Sequence, residues 1–121
     1  MYNTIVWFDI PVKNMERARS FYQKVFDVEL QNVEEGPSKM AMFPFEEGSA
    51  SGALVEAGET KPSMEGTVIY LNGGDDLDIP LAKVEESGGH VLAKKTKIGD
   101  YGYTAEFEDT EGNRIAIHSP H

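Results

Sequence analysis

The feature that most limits how this chain can fold is that its order of elements is written twice. Residues 3–11 are rich in β-branched and aromatic side chains and predict a first strand, with Thr4, Val6, Phe8 and Ile10 on one side and Ile5, Trp7 and Asp9 on the other. Asn14 is placed to cap a helix in which Met15, Ala18, Tyr22, Val25 and Phe26 recur at helical spacing, while Glu16, Arg17, Arg19 and Lys24 fall off that stripe. No helical period follows over residues 28–56. Breaks at Gly36-Pro37 and at residues 46–52 divide this segment into VELQNV, KMAMFPF and GALVE, three short strands. The order then restarts. GTVIYLN predicts a strand, Asp75-Asp76 a cap, and Leu77, Leu81 and Val84 a helical stripe that ends at Gly88-Gly89. Pro80 falls early enough in that helix for its missing N–H to be tolerated. HVLAKKT, YGYTAEFE and NRIAIHS then supply three more strands.

The two copies superpose as pattern and not as identity. Asn14 falls on Asp76, Met15 on Leu77, Tyr22 on Val84 and Leu30 on Leu92; farther on, Phe43 matches Phe107, Glu47 matches Glu111 and Gly48 matches Gly112. Two βαβββ halves, each needing cover for one sheet face, predict an α+β fold in which they pair into one curved sheet with helices outside. The length of 121 residues fits one domain. Its first module spans about 1–57, a connecting loop about 58–65, and the second module about 66–121.

The second copy closes on FEDTEGNRIAIHS, a strand, a polar turn at Asp109–Asn113 and a last strand. Alternation sets Ile115 and Ile117 toward a core and Arg114, Ala116 and His118 on the opposite face. Gly112 suits the turn because it accepts positive φ, and Asp109 can bond the backbone two residues on.

Charge and composition exclude several function classes. With 21 acidic residues against 11 basic ones the net charge is −10, which disfavours nucleic acid and anionic lipid as partners. Lys94, Lys95 and Lys97 form the one basic run, as expected of a strand edge guarded against aggregation. The absence of cysteine removes disulfides, thiolate metal sites and a thiol nucleophile. No stretch approaches the roughly 20 apolar residues of a membrane span, and residues 1–12 lack the form of a signal peptide, so a cytoplasmic location is expected.

DIPVKNMERARSFYQKVFDVEL, DDLDIPLAKVEESGGHVL and FEDTEGNRIAIHS together resemble the vicinal oxygen chelate superfamily, which includes glyoxalase I, extradiol dioxygenases and bleomycin resistance proteins. The resemblance covers essentially the whole chain and implies paired βαβββ modules in a half-open barrel, usually as a dimer, with a site on the concave face. In metal-dependent members four positions hold a divalent ion. Carried over, they fall on Trp7, on Thr67 or Ile69, on Ala53 or Leu54, and on Ala116. None of these is a His or Glu ligand, so no cofactor is expected. A relocated set of Asp9, Glu56 and His118 is the alternative that keeps a metal.

The resemblance therefore implies a small-molecule binding protein or lyase-like enzyme, with Trp7, Thr67, Tyr103, Arg114 and His118 lining the pocket. Trp7, the single Trp, offers a stacking surface. Arg114 can present a planar fork to an anion, and Tyr101 and Tyr103 flank Gly102 where a pocket lip would form. His118 is the candidate general base, because an imidazole titrates near neutrality. The alternatives are a metal-dependent lyase or dioxygenase using the relocated ligands, and a dimeric interaction module without catalysis. The acidic surface suits a cationic ligand.

Overall fold

The computed structural model describes residues 4–35 and 38–121. Its elements run β1 (Trp7–Pro11), α1 (Met15–Phe26), β2 (Gln31–Glu35), β3 (Ser38–Met42), β4 (Ser51–Glu56), β5 (Tyr70–Asn72), α2 (Asp78–Leu81), β6 (His90–Lys97), β7 (Tyr103–Glu108) and β8 (Arg114–Ser119). The α+β class and the twofold βαβββ order are those the sequence predicts. The Gly36-Pro37 break and residue 3 of the first strand lie outside the described residues.

Each module folds into its own four-stranded mixed sheet, ordered β1-β4-β3-β2 and β5-β8-β7-β6. In both, the first strand pairs parallel with the last, and the remaining pairs are antiparallel. The expected single curved sheet is corrected here: among the described residues no ladder joins one sheet to the other. The reason lies in β5, which was expected over 66–72 but is only three residues long. Residues 61–69 instead follow β8 by separate contacts, in which Ser63 O accepts from Arg114 N at 3.3 Å and Ile69 O from Ala116 N at 2.9 Å. The edge that would have met β1 stays open.

Helix α1 forms where its stripe predicts. Asn14 has extended backbone and its Oδ1 accepts from Arg17 N at 3.0 Å, while Met15, Ala18, Phe21, Tyr22 and Val25 are buried. The helix ends at Asp27, whose φ of 53° places it in the left-handed region. The second helix is shorter than its stripe suggests. The expected cap is displaced by one residue: Leu77 is the N-cap and makes no side-chain bond, while Asp76 just before it accepts from Asp78 N at 2.9 Å. The helix stops at Leu81 and resumes only as a 3₁₀ turn at Glu85–Ser87. Pro80 contributes no N–H to a helix already only four residues long. Leu77, Leu81 and Val84 are nonetheless buried as the spacing requires, and Gly88 ends the segment at φ 105°.

One core spans both modules. It joins Ile10, Leu54 and Ala41 of the first sheet to Ala105, Phe107, Ile115 and Ile117 of the second through the side chains of α1. Phe21 and Tyr22 meet edge to face at 5.1 Å, and Phe21 lies 5.7 Å from Phe107. The lysine run lies on β6, the outer strand of its sheet, as an edge guard should.

The turn between β7 and β8 fastens this arrangement. Asp109 is buried and accepts from Tyr22 OH at 2.6 Å, from Asn113 Nδ2 at 3.0 Å, and from the backbone N–H groups of Glu111 and Asn113. Burial, reinforced by Asp109, pushes the Tyr22 phenol well above its usual range, so it remains a donor. Asn113 Nδ2 also donates to Pro11 O at 2.8 Å. Glu111, whose side chain is wholly removed from solvent, reaches the N-terminus of α1. It accepts from Lys13 N at 2.7 Å, from Asn14 N at 2.8 Å and from both Nε and Nη2 of Arg17. A carboxylate at a helix N-terminus meets both the unpaired N–H groups and the positive end of the helix dipole.

Burial alone would push the Glu111 carboxyl up, but Arg17, Asn14, Thr110 and Lys13 together hold it below its ordinary value. A depressed folded-state pKa gives stability that is fully present above the ordinary glutamate range and is lost as pH falls through the folded value. Glu111→Gln should therefore cost about 2 kcal/mol in urea unfolding at neutral pH, the worth of hydrogen bonds to a charged group. The gap between variant and parent should close as pH drops below about 4. A gap that stays constant down to pH 3 would show that charge at Glu111 is not what matters.

Candidate functional site

The open edge between β1 and the segment leading into β5 is where cavities form. On β1, Ile10 belongs to the core and Phe8 packs against it, which turns Trp7 and Asp9 to the opposite face. Trp7 Nε1 donates to Asp9 Oδ1 at 3.1 Å, so the indole and the carboxylate are held together. Asp9 stands beside Ala53 in the β1–β4 ladder, and Tyr70 beside Ala116 in the β5–β8 ladder. Ala53 and Ala116 are fully buried yet lie outside the core cluster, each on the face of its sheet away from the core.

A cleft of about 410 Å³ follows this seam and brings together Trp7, Asp9, Thr67 and Arg114, with Lys61 and Ser63 from the connecting loop. Arg114 is not a free fork. Its Nη1 donates to Glu106 Oε1 at 2.7 Å and its Nε to Met64 O at 3.2 Å, so it ties the loop to β8. A second cleft, about 720 Å³, lies along the same seam and shares Ile5, Phe8, Thr67 and Ile69 with the first. Gly52 shapes the partition between them. A Cβ there would fall 2.5 Å from the Phe8 ring, so only glycine lets that ring lie across β4.

Three of the five expected pocket residues, Trp7, Thr67 and Arg114, thus line one cleft. The other two lie elsewhere. Tyr103 packs against the core, with Lys95 Nζ 4.7 Å above its ring. His118 stands beside Asn72 in the β5–β8 ladder, and its Nε2 contacts the carbonyl of Tyr101 on the β6–β7 hairpin. This gives His118 a role in holding the hairpin that contains the exposed Tyr101. Sequence reasoning missed Asp9 as a pocket residue in its own right, together with Lys61 and the aromatic wall of Phe8, Phe26 and Phe43. The alternation of residues 3–11 carried the signal for Asp9, which shares a face with Trp7.

The residues present do not fit the metal of the chelate fold. The positions onto which the resemblance carries the ligands include the methyl groups of Ala53 and Ala116, while Leu54 belongs to the core and Ile69 packs against it. The relocated set is also dispersed. Glu56 Oε1 accepts from Met15 N at 2.8 Å and Asp9 from Trp7, both on the first sheet, whereas His118 on the second sheet contacts the β6–β7 hairpin of that same sheet. Among the described residues no group of three or more His, Asp or Glu is placed to hold an ion.

The paired βαβββ modules and the seam cleft are the marks of one protein class, and the sequence agrees: the chain belongs to the Glyoxalase/Bleomycin resistance protein/Dioxygenase superfamily, which it matches over residues 4–117. A glyoxylase-like domain-containing protein of Didymella fabae is 31% identical over 123 residues, an alignment covering 97% of this chain and 94% of that protein. Among solved structures, TnmS3, an antibiotic binding protein from Streptomyces sp. CB03234, superposes with a TM-score of 0.72 at 25% identity, covering 98% of this chain and 97% of that one. A glyoxalase I mutant from Zea mays superposes at 0.69 with 15% identity, covering 95% of this chain and 45% of that one, and shows the fold alone.

Gly102, at φ 99°, brings the β6–β7 hairpin against β8, where a Cβ would fall 2.5 Å from Ser119 O and 3.1 Å from His118 Nε2. Gly102→Ala should lower stability by about 1–3 kcal/mol, measured by chemical unfolding, and release the imidazole from the Tyr101 carbonyl. An unchanged His118 resonance pattern in NMR would show that the hairpin is not anchored there.

Proposed function

We propose that this protein binds a small molecule in the seam between its modules and does so without the metal of its superfamily. The observation that carries this is the cleft in which the indole of Trp7, oriented by Asp9, faces Thr67 and Arg114 across the unpaired edge. An aromatic surface with a few convergent polar groups in a cleft of this size has the form of a ligand site. The antibiotic-binding relative supports the reading, since sequestration needs a shaped cleft and no reacting group. Lyase-like chemistry is the weaker reading, because its candidate base, His118, lies outside this cleft with its imidazole held by the Tyr101 carbonyl. The working unit is a cytoplasmic homodimer, which would cover the exposed Ile5, Val6 and Tyr70 beside the seam.

Three measurements test this. A thermal-shift screen over metabolites and antibiotics should find a stabiliser, because a ligand at about 100 times its dissociation constant adds about 2.7 kcal/mol, or roughly 10 °C for a chain of this length. The single Trp should report binding by quenching, and Trp7→Phe should abolish that signal. No stabiliser at millimolar concentration would sink the proposal. Equilibrium dialysis against Zn, Ni, Mn and Fe should show no stoichiometric uptake. One ion per chain, lost in Asp9→Asn and His118→Asn, would instead favour a metal enzyme with relocated ligands.

A further inference from the structure

The larger of the two seam clefts has a composition unlike the rest of the molecule. Charged residues make up 26% of the chain, yet among the described residues its lining contains none. It is enclosed by the N-terminal part of β1, the ends of β3 and β4, the C-terminal end of α1, and residues 67–72. Phe8, Phe26 and Phe43 pack against the core and still keep part of their rings uncovered in this cleft. Those rings form a connected series. Tyr22 is stacked on Phe26, meets Phe43 edge to face at 5.7 Å, and Phe43 lies 5.7 Å from Phe8. The series ends at the empty space, where one more ring would extend it in the tilted geometry aromatic pairs prefer.

The surroundings select the charge of an occupant. A neighbouring groove shares Phe26, Val28 and Asn72 with the cleft and presents Asp27, Asp75 and Asp76, with Lys83 as its one cation. In a chain of net charge −10 these carboxylates repel an anion approaching from that side. A cation entering the cleft would give up its hydration with no carboxylate in the lining to replace it. The acidity of the chain, which on sequence alone suits a cationic ligand, therefore stops at the rim.

We infer that this charge-free cleft binds a neutral, largely aromatic small molecule, stacked against Phe8 and Phe43 and oriented by the polar groups of Thr67 and Asn72 at its edge. The inference rests on the small-molecule reading above and names its ligand class and the half of the seam that carries most of the contact. The cleft volume of about 720 Å³ lies within the range of drug-sized ligand sites.

The test uses two environment-sensitive dyes, neutral Nile red and the anionic anilinonaphthalene sulfonate, titrated into the full chain. Nile red should bind saturably at one per chain and at least tenfold more tightly than the anion. Ala50→Trp and Val68→Phe, which place bulk at the rim and wall of the cleft, should each weaken it at least tenfold. Circular dichroism and urea midpoints within experimental error of the parent would show that these variants fold. Equal affinity for the anion would overturn the ligand class. Binding that survives both filling variants but is lost in Arg114→Ala would move the ligand to the smaller cleft, overturning the inference while the binding reading stands. Non-saturable uptake of both dyes, with no stabiliser found in the thermal screen, would overturn the inference and the binding reading together.

Discussion

The structure depends on two buried carboxylates carried by a five-residue turn. Asp109 shapes the turn from within and, through Tyr22, holds one face of α1; Glu111 leaves the turn and closes the N-terminus of the same helix. Both acids belong to the second module and both partners to the first. The covalent link between modules is a loop without strand or helix over residues 57–69, so it does little to fix their relative position. The shared core supplies attraction without direction. Direction comes from these hydrogen bonds, whose geometry admits one placement of α1 over the second sheet.

Much of this was legible in the sequence because the relevant signals are periodic. The stripe from Met15 to Phe26, the alternation of RIAIHS and the double βαβββ order each repeat often enough to outweigh local noise. Two features were not legible. The strand GTVIYLN has good β propensity, yet only Tyr70–Asn72 enters the β8 ladder; Ser63, Met64 and Ile69 reach β8 through single carbonyl contacts that no local pattern announces. The second helix tightened after Leu81, where Lys83 N and Val84 N bond three residues back, to Pro80 O and Leu81 O, a change that no sequence pattern marks. At the site, Trp7, Thr67 and Arg114 were recoverable because alternation and the family resemblance place them along the seam. For Tyr103 the alternation of YTAEFE, which puts it on the face of Ala105 and Phe107, outweighs its place beside Gly102, and its ring packs against the core.

The shortened β5 also explains why the seam is the candidate site. Had residues 66–69 paired with β1, Phe8, Thr67 and Ile69 would line a continuous sheet, and the two clefts that share them would close. Ala53 and Ala116, both fully buried, line neither cleft and bring no ligating group to the seam.

The repeat also conceals an inequality. Glu47 and Gly48 occupy in the first module the places of Glu111 and Gly112 in the second, and both glycines take left-handed backbone, at φ 86° and 97°. Glu47 is exposed, however, while Glu111 is buried against the other module's helix. The turn has kept its shape in both copies and its grip in one. Two first modules brought together would therefore present matching sheets and no clasp. The halves are not interchangeable building blocks: through Glu111 and Asp109 one half holds and the other is held.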